Sequence, residues 1–200
     1  MQFIGEKSGL ALWEAILKRY DRYIRNKELE IEMENLDSSA LKTYDEKDWH
    51  QFLTKYFKWK FSGNYLARRL NKLEEEWTGG KLNDTLKIRD ELFSFDTSDP
   101  SKGLEIAGKI KGLRVSGASG LLALSFPGKF GTVDKFVLRS LKESACHEAN
   151  FSSNETDIRH EDGVRMIEIM RKKAKELNSH SSHRYWTPRK IDKVLWTLGH

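Results

Sequence analysis

Gly112-Leu113-Arg114-Val115-Ser116-Gly117-Ala118-Ser119-Gly120-Leu121-Leu122, followed by Phe130-Gly131-Thr132-Val133-Asp134-Lys135-Phe136-Val137, decides how this chain is read. The pattern predicts two helices, over 102–111 and 117–126, around a tight connection. Pro127-Gly128-Lys129-Phe130-Gly131 forms a second loop, and Thr132 to Leu141 begins another helix after it. A tight turn that opens a helix presents backbone N–H groups without intrahelical partners, which suits a phosphate oxygen.

Outward from this segment the chain reads as mainly α. Residues 8–26 carry Trp13, Ile16, Leu17, Tyr20 and Ile24 at helical spacing, and 46–61 carry Trp49, Phe52, Leu53, Tyr56 and Phe57 on one face. Helices are also expected over 64–77, 83–93 and 158–177. Asp96 to Ser101 is a loop and a candidate lobe boundary. Residues 147–157 and 178–185 are polar loops. Thr187 is placed to cap a last helix with Pro188 at its first position. Glu28 to Glu34 alternates acidic and apolar residues, which predicts a short strand or extended edge, with a charged helix as the other reading.

Composition sets the class. With 38% hydrophobic residues and six Trp, the 200 residues can build one good-sized domain or two small lobes, so the whole chain is taken as a single compact helical domain. No apolar run reaches the length of a membrane span, and the first residues lack the pattern of a secretion signal, so a cytoplasmic protein with no membrane partner is expected. A single cysteine, Cys146, cannot form an internal disulfide or supply a four-cysteine iron–sulfur cluster. His180 and His183 have no third ligand nearby and are expected in solvent rather than on a metal. The formal charge is +5, with −2 in residues 1–100 and +7 in residues 101–200. A basic half invites a polyanion.

The stretch from about 104 to 142 resembles the helix-hairpin-helix DNA glycosylase superfamily (endonuclease III-like). In that family a Gly-hydrophobic-Gly turn joins two helices, small residues open the second helix, and a loop leads to an Asp at the start of the next. Here Gly112-Leu113 match the turn, Ala118, Leu121 and Leu122 the packed helix, and Val133-Asp134 the hydrophobic-Asp step. The second hairpin glycine is replaced by Arg114. Aligned this way, Ser116 stands where bifunctional members carry a nucleophilic lysine, and Asp134 follows 18 residues later, the family's usual separation. The last helix, with Asp192 and Trp196, and the Trp59-Lys60 pair are similar to segments of bacterial glycosylase-like proteins.

The resemblance implies a two-lobed helical fold, double-stranded DNA as partner, a monomer, and no cofactor. It implies hydrolysis of the bond between a damaged or modified base and its sugar. Asp134 would stabilise the positive charge that base departure leaves on the deoxyribose and orient the attacking water. Lys109, Lys111, Gly112, Arg114, Ser116 and Gly117 would hold the DNA backbone. With Ser116 in place of the lysine, the implied enzyme is monofunctional and leaves an abasic site. Base flipping needs a wedge and an aromatic pocket. Tyr56, Trp59, Tyr65, Tyr185 and Trp186 are the candidates. A non-catalytic DNA-binding protein that kept the hairpin is the alternative, and so is an unrelated helical protein. Exposure of Asp134 to a cleft separates the first reading from the second.

Overall fold

A computed structural model describes residues 7–79, 82–144, 150–181 and 185–200, the side chains of residues 7, 8, 82 and 83 excepted. The described residues form eleven α-helices, one 3-10 turn and no strand. In chain order these are α1 (Lys7–Leu17), the 3-10 turn Tyr20–Arg22, α2 (Lys27–Glu34), α3 (Ser38–Leu41), α4 (Glu46–Lys60), α5 (Gly63–Thr78) and α6 (Leu82–Leu92). Then come α7 (Pro100–Gly108), α8 (Val115–Ser125), α9 (Lys135–Glu143), α10 (His160–Ser179) and α11 (Pro188–Gly199). Cys146 and His183 lie outside the described residues; His180 is exposed.

Local chemistry starts these helices where the sequence supplies a cap. Asp45 accepts from Asp48 N–H at 2.8 Å to open α4, and exposed Lys58 suits the negative end of the helix dipole in its last turn. Asp99 accepts from Lys102 N–H at 3.0 Å, with Pro100 in the first turn of α7. Thr187 does the same for α11, accepting from Lys190 N–H at 3.3 Å ahead of Pro188.

Of the two readings of Glu28 to Glu34, extended segment or charged helix, the structure has the helix, α2. Asn26 caps it through Leu29 N–H at 3.0 Å, and Glu28 and Glu30 sit in its first turn, where negative charge is favoured. Glu30 and Met33, three apart, face inward, while Ile31 is 60% exposed. Inward-facing partners, rather than alternation, choose the helix. The first helix is also shorter than expected: α1 ends at Leu17, and Tyr20 turns in through the 3-10 segment to donate to Glu30 at 2.9 Å.

α8 is the centre of the molecule. Every residue from Gly117 to Ser125 is buried, as expected for a helix with no polar face. α7 and α10 flank it, α4 and α3 touch it, and α11 packs against α9, α10 and α1. Small residues make these approaches possible. A Cβ on Gly163 of α10 would stand 2.5 Å from Val115, and one on Gly199 of α11 would stand 2.1 Å from the Phe136 carbonyl oxygen. One connected hydrophobic core runs from Trp13 to Leu195. None of the helices is long and apolar enough to cross a membrane, among the described residues.

Candidate functional site

The corner between α7 and α8 spans residues 109–114. Gly112 takes φ +94°, a left-handed conformation that suits glycine, and Leu113 is buried beneath it. Leu113 N–H donates to Ile110 at 3.0 Å, and the Arg69 guanidinium donates to the Gly112 carbonyl. Arg114 stands at the N-cap of α8 with its side chain exposed, and no side chain caps that helix. The basic residues here all have acidic neighbours. Lys109 is 2.5 Å from Glu91, Lys111 is 3.7 Å from Glu76, and Arg114 is 3.5 Å from Asp157.

From α8 the chain runs through Phe130 to Asp134 along a segment pinned on both sides. Thr132 N–H donates to Asp192 Oδ2 of α11 at 2.5 Å, and Val133 N–H donates to Ser119 Oγ of α8 at 2.8 Å. Gly131 sits so close to α10 and α11 that a Cβ would be 2.6 Å from both Met170 Sδ and the Pro188 carbonyl oxygen. This register fixes Asp134 as the N-cap of α9. Its Oδ1 accepts from Phe136 N–H at 3.0 Å and Val137 N–H at 3.1 Å. Its Oδ2 lies 4.0 Å from Lys60 Nζ, with the Asp134 side chain 19% exposed.

That carboxylate lines a cleft of about 500 Å³. α2, the end of α4, the start of α8, α9 and α11 form its walls. Ser116 and Lys60 share the polar side with Asp134, while Trp59, Tyr23, Phe136 and Trp196 supply aromatic surface. His200 stacks on Phe136, with ring centres 4.7 Å apart. Arg25, Lys58 and Lys135 stand exposed at the rim, and none makes an ion pair among the described residues.

Beneath the cleft lies a buried charge cluster. Arg189 reaches Asp192 at 2.8 Å, Glu34 at 2.5 Å and Glu30 at 3.3 Å, and its guanidinium lies 5.3 Å from the centre of the Trp59 ring. Trp59 Nε1 donates to Glu30 Oε2 at 2.5 Å. Burial pushes the Asp192 carboxyl up to about 6, against the pull of Arg189 and the Thr132 N–H. Burial likewise pushes the Lys60 amine down, more than the neighbouring Asp134 and Asp192 raise it.

The five aromatic candidates part company. Trp59 is half-buried and faces the cleft. Tyr56 has no exposed surface; its hydroxyl donates to the Gly117 carbonyl, and it belongs to the core. Trp186 is 3% exposed, packs edge-on to Trp13, and is also core. A buried ring already in van der Waals contact on all sides has no face left for a base. Tyr65 is 70% exposed on α5, and Tyr185 is 45% exposed with Lys190 over its ring; neither lines the cleft. Lys60, Phe136, Trp196 and the Glu30–Arg189–Asp192 cluster were not among the site candidates. In the sequence Trp196 and Asp192 stand out only as parts of the last helix, and Lys60 only as the neighbour of Trp59.

Comparison with protein-family models, with curated proteins and with solved structures finds no match to this chain.

Proposed function

We propose that this chain is a DNA glycosylase that hydrolyses the N-glycosidic bond of a damaged or modified base in duplex DNA and leaves an abasic site. The observation that carries the reading is the divided carboxylate of Asp134. One oxygen caps α9, and the other makes no hydrogen bond among the described residues and belongs to the lining of an aromatic-walled cleft. The cleft volume falls in the range of roughly 300–1,000 Å³ usual for sites that take a small molecule. Such a site accepts one nucleotide turned out of the stack, its base against Trp59 or Phe136 and its sugar beside Asp134.

The chemistry follows from charge. As the bond between C1′ and the base nitrogen lengthens, positive charge grows on the sugar, and Asp134 Oδ2 stabilises it. Water then forms the new bond to C1′, gives its proton to the carboxylate, and the departing base gains a proton. Arg25, Lys58 and Lys135 hold phosphates around the cleft, and the α7–α8 corner holds the strand further out. The test is incubation with a panel of duplexes, each carrying one modified base, followed by alkali to break the strand at abasic sites. Release from at least one duplex is expected. Release from none, with tight duplex binding, favours a DNA-binding protein without chemistry.

A further inference from the structure

Lys60 is the last residue of α4 and lies one turn beyond Tyr56, on the face that meets α8. Both side chains pass α8 where it is bare. The Tyr56 hydroxyl donates to the Gly117 carbonyl, and a Cβ on Gly120 would stand 2.7 Å from Tyr56 Oη and 3.3 Å from Lys60 Cδ. Gly120 thus leaves room for the lysine stem along the wall of the cleft. Only 9% of the side chain is exposed, and Nζ ends 4.0 Å from Asp134 Oδ2 with no hydrogen-bond partner among the described residues. Burial favours the uncharged amine, against the opposing pull of Asp134. An ammonium ion here would oppose the positive charge that base departure builds on the sugar. A free amine would not, and its lone pair is a nucleophile.

We propose that Lys60 forms an imine with the aldehyde of an abasic deoxyribose in this cleft, which adds an activity on abasic DNA to base release. The proposal rests on the glycosylase reading, which brings a deoxyribose to Asp134. The Nζ lone pair bonds to C1′ of the ring-opened sugar. The C1′ oxygen gains protons and leaves as water, and Nζ gives up its protons to leave a C=N bond. The imine makes the C2′ hydrogen acidic, and Asp134 Oδ2 takes it. The 3′ phosphate departs with the electron pair of the C3′–O bond. Water then hydrolyses the imine, which returns Lys60 and leaves an unsaturated aldehyde on the 5′ fragment. Ser116 lines the same cleft but offers only a hydroxyl, so the amine enters from α4 rather than from α8.

The experiment uses a duplex carrying one natural abasic site, the full chain and borohydride. Hydride converts an imine to a stable secondary amine, so a covalent complex survives denaturing electrophoresis, and mass spectrometry locates the attachment. Wild-type protein should give a near-stoichiometric complex attached at Lys60. Lys60→Met and Lys60→Arg should reduce it to background, with melting curves to establish that both are folded; the wild-type attachment site decides if neither is. No wild-type complex, attachment at another amine such as Lys135, or unchanged trapping in a folded variant would overturn the proposal. The probe already lacks its base, so the two readings fail separately. Base release without trapping refutes the imine alone, and trapping at Lys60 without release from any modified duplex refutes the glycosylase alone.

Discussion

Asp134 Oδ2 stands 4.0 Å from Lys60 Nζ while Oδ1 of the same carboxylate caps α9. Capping and the proposed chemistry therefore do not compete for this residue. The cap fixes the rotamer, and the fixed rotamer aims the second oxygen into the cleft. The helix start that makes Asp134 look merely structural is what makes it a precise charge.

DNA binding should depend more on the rim than on the corner. Lys109, Lys111 and Arg114 each have an acidic neighbour within 4.0 Å, whereas Arg25, Lys58 and Lys135 have none among the described residues. Replacing the rim set with Ala should flatten the dependence of log affinity on log salt by up to about one unit per lost phosphate contact. The corner set should change it less. Fluorescence anisotropy on one duplex across a salt series measures both, and a larger effect from the corner set would contradict the assignment.

Arg189 should be the costliest single charge to remove. It is buried and faces Glu30, Glu34 and Asp192, and Asp192 in turn holds the Thr132 N–H that sets up Asp134. Arg189→Met leaves buried Asp192 without its cation and Glu30 and Glu34 with Lys193 alone, which costs about 3–5 kcal/mol for a buried pair broken on one side. Urea denaturation should register this, and a loss below about 1 kcal/mol would show that the cluster relaxes without it.

Acid should act on activity before it acts on stability. Burial raises Asp192 to about 6, above its unfolded value near 3.9. The folded state therefore takes up this proton first, and between those values the group adds stability as pH falls. Protonation nonetheless weakens its grip on Arg189 and Thr132. Asp162 works the other way. Burial would raise it, but hydrogen bonds from Ser153 and Ser152 outweigh that and hold it below the usual carboxylate range. Its contribution is complete above about pH 5 and is lost as pH falls through the unfolded value toward the folded one. Base release should decline near pH 6, and Asp162→Asn should lower the melting temperature at pH 7 by an amount that shrinks below pH 4. A constant Asp162→Asn difference across that range would be the contrary result.

Much of this was legible because it is local. Gly112, Asp134 and the Thr187-Pro188 start each act within a few residues, and a turn or cap can be read from its own neighbours. The acidic alternation at 28–34 misled because period two fits a strand, while the choice was made by Tyr20, Trp59 and Arg189 converging on Glu30. Tyr56 and Trp186 share the aromatic chemistry of Trp59, and only packing separates core from cleft. Lys60 closes α4 as lysines commonly do, and nothing nearby in sequence announces that Asp134 and Gly120 will enclose it.

The central claim is that the free oxygen of Asp134 carries charge for base release. Asp134→Asn keeps the side-chain oxygen that caps α9 but loses that charge. On whichever modified duplex the wild type processes, single-turnover base release should fall on the order of 10²–10³-fold, the usual cost of one such electrostatic interaction. Duplex affinity should be unchanged or tighter, and the melting temperature nearly unchanged. Full base release by the folded Asn variant would contradict the account.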